Sequence, residues 1–257
     1  MEATRSEAAL RMLNKVPEVT IYFWIIKVMA TTVGETAADF LSVKLNLGLS
    51  ITSYVMGALL LLALLLQIKS RRYVPWIYWV TVVLISVVGT LITDNLVDNL
   101  GVPLKVTTAL FSVALLATFA AWYASEKTLS IHTIYTTRRE LFYWAAILFT
   151  FALGTAAGDL TAEGLGFGYA NSAMMFGAVI GLVTIAYYFL KMNAILAFWV
   201  AYILTRPLGA SLGDLLTQPT ANGGLGWGTV VTSAIFLVTI LGLVAYMTIS
   251  QRRAGLD

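Results

Sequence analysis

The sequence predicts an all-α integral membrane protein of eight transmembrane helices, built as four parallel-oriented two-helix repeats with both termini cytoplasmic. Three observations carry this: a charge-poor composition, apolar runs long enough to cross a bilayer, and a Trp/Gly/Asp pattern that occurs four times. Of 257 residues, 59% are hydrophobic and 11% charged, and the mean hydropathy is +0.85. Soluble domains carry about 25% charged residues. A large soluble core does not account for runs such as ITSYVMGALLLLALLLQI (51–68) and SAIFLVTILGLVAYMTI (233–249), which are as long as a membrane helix needs.

Apolar segments fall at about 19–42, 49–68, 74–96, 105–124, 139–160, 171–190, 194–216 and 228–249. A polar segment of mixed charge, 1–18, precedes them and a short tail, 251–257, follows. The first 18 residues do not resemble a cleavable signal peptide, so the first span is expected to stay in the mature chain. The membrane domain is expected over 19–250, with repeats at about 19–68, 74–124, 139–190 and 194–249. Basic residues set the orientation. Arg5, Arg11, Lys15, Lys69, Arg71, Arg72, Lys127, Arg138, Arg139, Lys191, Arg252 and Arg253 share one side, expected to be cytoplasmic. Only Lys44 and Lys105 lie on the other.

The repeat is legible residue by residue. Trp24, Gly34 and Asp39 recur in the same spacing as Trp79, Gly89 and Asp94, then Trp144, Gly154 and Asp159, then Trp199, Gly209 and Asp214. Each tryptophan follows an aromatic residue: Phe23, Tyr78, Tyr143 and Phe198. The second helix of each unit keeps small residues four apart: Ser53 and Gly57, Thr108 and Ser112, Ala173 and Gly177, Gly228 and Thr232. Such pairs let membrane helices approach closely. Two spans per unit give all units one orientation, unlike inverted-repeat transporters. A ring about the membrane normal follows, with the odd helices either lining the axis or packed as two pairs. A longer cytoplasmic link, about 125–138, separates the two halves.

The stretches KVPEVTIYFWIIKVMATTVGETAADFLS (15–42) and AFWVAYILTRPLGASLGDLLT (197–217) carry a further likeness. With the fourfold repeat, they resemble a bacterial membrane-protein family of unknown function defined by four tandem two-span repeats, each with a characteristic tryptophan. The resemblance runs from about 15 to 250 and implies a multi-pass protein of the bacterial inner membrane. It implies no catalytic residue. The motif varies along the chain: GETAAD in the first unit is GTLITD in the second and GTAAGD in the third.

The candidate functional residues are the charges inside the spans. Lys27, Thr31, Glu35 and Asp39 are spaced by four, along one side of a helix. Buried charge is costly in a bilayer and faces the bundle or a pathway. The repeated aspartates sit near the non-cytoplasmic ends of the odd spans. Asp98 and Glu163 follow one turn after Asp94 and Asp159, and basic residues stand in the first and last units as Lys27 and Arg206. Units one and four are neighbours in a closed ring, which makes Arg206 with Glu35 or Asp39 a cross-helix pair. Lys27 and Glu35 are two turns apart, too far for a direct pair. Seven acids against two bases carry −5 if all are ionised. Protons or a bound cation relieve that repulsion, and oxygen-only ligands suit hard divalent ions. The metal-ligand candidates are therefore Glu35, Asp39, Asp94, Asp159 and Asp214. Lys27, Arg206, Asp98 and Glu163 are the charge-pairing or transport candidates.

Two functions fit these residues. One is a transporter or channel-like protein for a small cation, divalent ions included, or for protons, with Lys27 or Arg206 neutralising acids in the empty state. The other is a membrane-embedded scaffold whose aspartates cap helices. The chain carries no HExxH, no GxSxG and no histidine in a span, so no enzyme is expected. His132 reads as an ordinary loop residue. The tryptophans read as packing or interfacial anchors, with an aromatic cage as the alternative. Pro207 is expected to kink the seventh span. There is no cysteine, so no disulfide or thiolate site exists. A net charge of +3 without basic clusters leaves nucleic acid out as a partner. The expected partners are lipid and a small cation, with no resident cofactor beyond a bound divalent ion; monomer and homo-oligomer both remain open. Lys27 and Glu35 stand out because their counterparts in the other units, Val82, Ile147 and Tyr202, and Thr90, Thr155 and Ala210, are uncharged.

Overall fold

In the computed structural model, residues 14–253 are described. Arg5, Arg11 and most of the expected N-terminal segment lie outside them, as does the tail beyond 253. Among the described residues there are eight long helices and no strand. They are α1 (Ile21–Asp39), α2 (Gly48–Lys69), α3 (Pro75–Asp94), α4 (Leu104–Glu126), α5 (Thr137–Asp159), α6 (Tyr169–Phe189), α7 (Ala194–Thr217) and α8 (Thr229–Arg253). Local chemistry sets their starts. Thr20 and Thr136 accept from backbone amides in the first turns of α1 and α5, Asn193 does so for α7, and Pro75 opens α3.

Seven helices, α2 to α8, are long and apolar enough to cross a membrane. The exception is α1, whose 19 residues include Lys27, Glu35 and Asp39. The eight expected segments are all helical, but composition alone qualifies only seven as spans. α1, α3 and α5 each run on into a π-helical turn, at Phe40–Lys44, Asn95–Asn99 and Leu160–Gly164. These turns extend the helices past the apolar pattern. α7 has no such turn and continues unbroken through Pro207.

The odd helices form a closed inner ring, α1 against α3, α3 against α5, α5 against α7 and α7 against α1. They line the axis singly rather than as two pairs. Burial separates the layers: 67%, 61% and 56% of the membrane-length windows of α3, α5 and α7 are buried, against 17% for each even helix. Each even helix packs on the odd helix of the next unit: α2 on α3, α4 on α5, α6 on α7 and α8 on α1. The unit of sequence is therefore not the unit of packing. Tyr22 on α1 meets Tyr246 on α8 at 5.7 Å, where the two ends of the ring join.

The repeated glycines set the spacing of the ring. A Cβ on Gly34 would collide with Ser86, on Gly89 with Phe151, on Gly154 with Arg206 and on Gly209 with Thr31. Each collision partner lies three residues before the glycine of the next unit, so one contact is used four times around the axis. The small-residue seam expected on the even helices does not do this at Gly57, where a Cβ meets nothing within 4 Å. Helix contact there is with the inner ring, through other faces. Gly89→Ala is therefore expected to destabilise the protein by about 1–3 kcal/mol, because the Phe151 Cβ stands 2.7 Å from the added carbon. Gly57→Ala is expected to leave stability unchanged or to raise it by up to about 1 kcal/mol through helix propensity. Melting temperatures of the two variants in detergent check the contrast.

The repeated tryptophans are packing residues. Trp79 meets Phe23 at 5.6 Å, Trp144 meets Tyr78 at 5.5 Å, Trp199 meets Tyr143 at 6.3 Å and Trp24 meets Phe198 at 5.7 Å. Every tryptophan thus packs on the aromatic residue of the preceding unit, in a belt around the ring. No cage for a ligand results. The link over 127–136 covers this end of the bundle: Leu129 accepts from the Trp199 indole at 2.9 Å, and Ile131 and Ile134 are buried. Lys15, one of the basic residues expected on the cytoplasmic side, is buried at this end. Its ammonium pairs with Glu140 at 2.6 Å and donates to the Ile68 carbonyl. His132 is exposed in a single 3₁₀ turn of that link.

Candidate functional site: an axial charge stack

Every fourth residue of an inner helix returns to the axis. Counting from each tryptophan, four layers stack between the aromatic belt and the open end. The first holds Lys27, Val82, Ile147 and Tyr202. The second holds Thr31, Ser86, Phe151 and Arg206. The third holds Glu35, Thr90, Thr155 and Ala210, and the last holds the four aspartates. The first three layers are buried throughout, with Glu35 the most exposed member at 6%.

Arg206 is the centre of the stack. Its guanidinium contacts all three other inner helices. Nη1 donates to the Thr31 carbonyl at 2.6 Å, Nε to the Phe151 carbonyl at 3.4 Å, and Nη2 to Glu35 Oε2 at 2.9 Å and to Thr155 Oγ1 at 2.7 Å. Nη2 also donates to the Thr90 hydroxyl, which in turn donates to Glu35 Oε2 at 3.3 Å. The expected cross-helix pair is therefore formed with Glu35, not Asp39. Its acceptors were not legible as such. Thr90 and Thr155 read as positions where a charge was missing, yet they are the hydroxyl partners that make a buried guanidinium tolerable. The signal was present in the register, since both share the Glu35 layer.

Lys27 corrects an expectation. It was a candidate to neutralise acids, but its ammonium has no hydrogen-bond partner among the described residues and is fully buried. It lies 4.2 Å from the ring centroids of both Phe151 and Tyr202. Arg206 faces the same Phe151 ring, with Cζ at 5.5 Å. The Lys27 side-chain nitrogen and the Arg206 guanidinium thus face one aromatic ring.

Of the five candidate ligands, Glu35, Asp159 and Asp214 are brought together, each offering a carboxylate oxygen within 4.8 Å of the others. Asp39 and Asp94 belong to the same aspartate layer but stand outside that group. Asp98 and Glu163 are exposed in the π-helical turns, where Glu163 accepts from Tyr169 at 3.0 Å. The capping role also fails to account for the aspartates: Asp39, Asp94 and Asp159 precede the π-helical turns without any side-chain capping bond. Asp214 lies within α7, before its last residue, Thr217.

Four copies of one family model match the chain, at residues 22–73, 77–128, 142–193 and 197–253, under the description Repeat of Unknown Function (DUF347). The chain belongs to this family. No curated protein and no solved structure matches it. Each DUF347 unit spans one inner helix and the outer helix that follows, which the packing then assigns to the next unit. The charge stack is the asymmetric part of the DUF347 array. Its aspartates are fourfold, whereas Lys27, Glu35 and Arg206 each occur once in their layers.

Proposed function

We propose that this DUF347 protein is an integral membrane protein of eight spans that moves a small cation or protons through the carboxylate cluster on its axis. The observation that carries the reading is the meeting of Glu35 with Asp159 and Asp214 of the aspartate layer, with Arg206 holding Glu35. Ionisable groups within a membrane domain mark ion or proton pathways by default. Membrane insertion is supported by the outer helices, which expose Leu59, Leu61, Leu62 and Leu65 on α2 and Val230, Val238 and Leu241 on α8. Such a surface needs lipid. α1 spans as well in this reading, because Lys27 and Glu35 face the axis and not the lipid. The tryptophan end carries Lys69, Arg71, Arg72, Lys127, Arg138, Arg139 and Lys191, and the aspartate end Lys44 and Lys105. That asymmetry supports a reading with both termini in the cytoplasm, in a bacterial inner membrane as the family resemblance implies. The chemistry is movement rather than bond making.

One observation favours a scaffold instead: among the described residues, the layer of Lys27, Val82, Ile147 and Tyr202 and the Arg206 layer next to it are buried throughout. In the transport reading this is the closed state of the pathway. Flux in vesicles containing the purified protein separates the two. Asp39→Asn and Asp159→Asn are each expected to lower cation or proton flux at least tenfold while the protein remains folded. Unchanged flux in both, or a change in melting temperature alone, would leave the scaffold.

A further inference from the structure

We propose that Glu35, Asp159 and Asp214 form a site for one divalent cation, and that Arg206 fixes the charge of that site by holding Glu35 through a single carboxylate oxygen. This deepens the transport reading by naming its substrate class, and rests on that reading for the purpose of the bound ion.

The ligand atoms come from α1, α5 and α7 and lie within 4.8 Å of one another. Hard cations take oxygen ligands at roughly 2.0–2.6 Å, so an ion between the three reaches all of them with little movement. Asp214 points to a ligand independently of the clustering. Its residue is only 9% exposed, and among the described residues its carboxylate forms no ion pair and accepts no hydrogen bond. A buried carboxylate in that condition lacks the compensation that burial demands.

Nothing nearby supplies that compensation. The guanidinium of Arg206 is already committed, to two carbonyls, two hydroxyls and Glu35. Lys27 is held against Phe151 and Tyr202, on the far side of the Arg206 layer. Arg206 and Thr90 both engage Oε2 of Glu35, which leaves Oε1 for another partner. If Glu35, Asp159 and Asp214 are all ionised when an ion binds, they and the guanidinium together carry −2. One divalent cation neutralises the group; a monovalent ion leaves it charged inside a low-dielectric bundle. All-oxygen donors without His or Cys select hard ions of the Mg²⁺, Mn²⁺ or Ca²⁺ type. Asp39 and Asp94 complete the aspartate layer beside the site and draw cations toward it.

Mn²⁺ titration of the purified full chain in detergent, with free Mn²⁺ read by electron paramagnetic resonance, tests the assignment. The expected result is one Mn²⁺ per chain, displaced by Ca²⁺ or Mg²⁺ and not by equal concentrations of Na⁺ or K⁺. Asp214→Asn and Asp159→Asn are each expected to weaken binding at least tenfold, and Asp98→Asn to leave it unchanged. Size-exclusion profiles verify folding, and either variant decides if the other fails to fold. The site is overturned if the wild-type chain binds no Mn²⁺, or if binding ignores both substitutions. Binding without flux leaves the site standing and removes the transport reading. Proton flux without divalent binding does the reverse.

Discussion

Arg206→Met is expected to destabilise the protein by about 3–5 kcal/mol, the range found when one partner of a buried ion pair is removed. The loss has several parts. Glu35, 6% exposed, is left with only the Thr90 hydroxyl as a partner. The Thr155 hydroxyl and the Thr31 and Phe151 carbonyls each lose a donor. Gly154, which accommodates the Arg206 stem, faces a differently shaped side chain. Glu35→Gln combined with Arg206→Met is expected to recover a large part of the loss, because neither member of the pair is left as a buried charge without its partner. Thermal melts of the single and double variants form a double-mutant cycle. A double variant as unstable as the sum of the singles would show that packing, not the pair, dominates at this position.

Lys27→Met is expected to act in the opposite direction and to stabilise the protein by about 1–4 kcal/mol. The ammonium is fully buried without a hydrogen-bond acceptor or counter-ion. Its compensation is the faces of Phe151 and Tyr202, each 4.2 Å away. A desolvated cation–π contact contributes about 2 kcal/mol, so two offset about 4. The effective penalty for burying an ion is several kcal/mol, and Arg206 adds like-charge repulsion across the shared Phe151 ring. Desolvation therefore wins narrowly, and methionine fits the stem without charge. A higher melting temperature checks this. A lower one would mean that the two rings hold the cation better than these magnitudes allow. Vesicle flux on the same variant shows whether the stability given up at Lys27 serves transport: a stabilised but inactive protein answers yes.

Much of the architecture was legible in the sequence because the repeat is written in residues that packing needs. The Trp/Gly/Asp spacing located the inner helices, the parallel units and the ring, since two antiparallel helices per unit return each unit to the same orientation. The Arg206–Glu35 pairing was legible from the adjacency of the first and last units. The acceptors from α3 and α5 were not. Thr90, Thr155 and the Thr31 and Phe151 carbonyls carry no sequence mark, because threonines are common in helices and a backbone carbonyl is present at every position. Lys27 was misread for a related reason. A lysine among acids suggests a salt bridge, but its layer holds Val82, Ile147 and Tyr202, and the stem length cannot bridge two turns to Glu35. The pairing of Lys15 with Glu140 was not legible either, because the two are 125 positions apart and only the fold brings them together.

The sequence by itself determined the helices, their number, their common orientation, the family and the register that puts seven charges in four stacked layers. These follow from local periodicity and from duplication, which are properties of the chain in one dimension. Only the tertiary structure decided which of those charges meet. It gathered Glu35, Asp159 and Asp214, left Asp39 and Asp94 outside that group, turned Lys27 onto two rings, and sent Asp98 and Glu163 to the surface. It also passed each outer helix to the next unit. The physical reason is that ring closure sets distances between residues more than a hundred positions apart. Those distances depend on how closely the backbones approach at Gly34, Gly89, Gly154 and Gly209, and on side-chain reach across the axis.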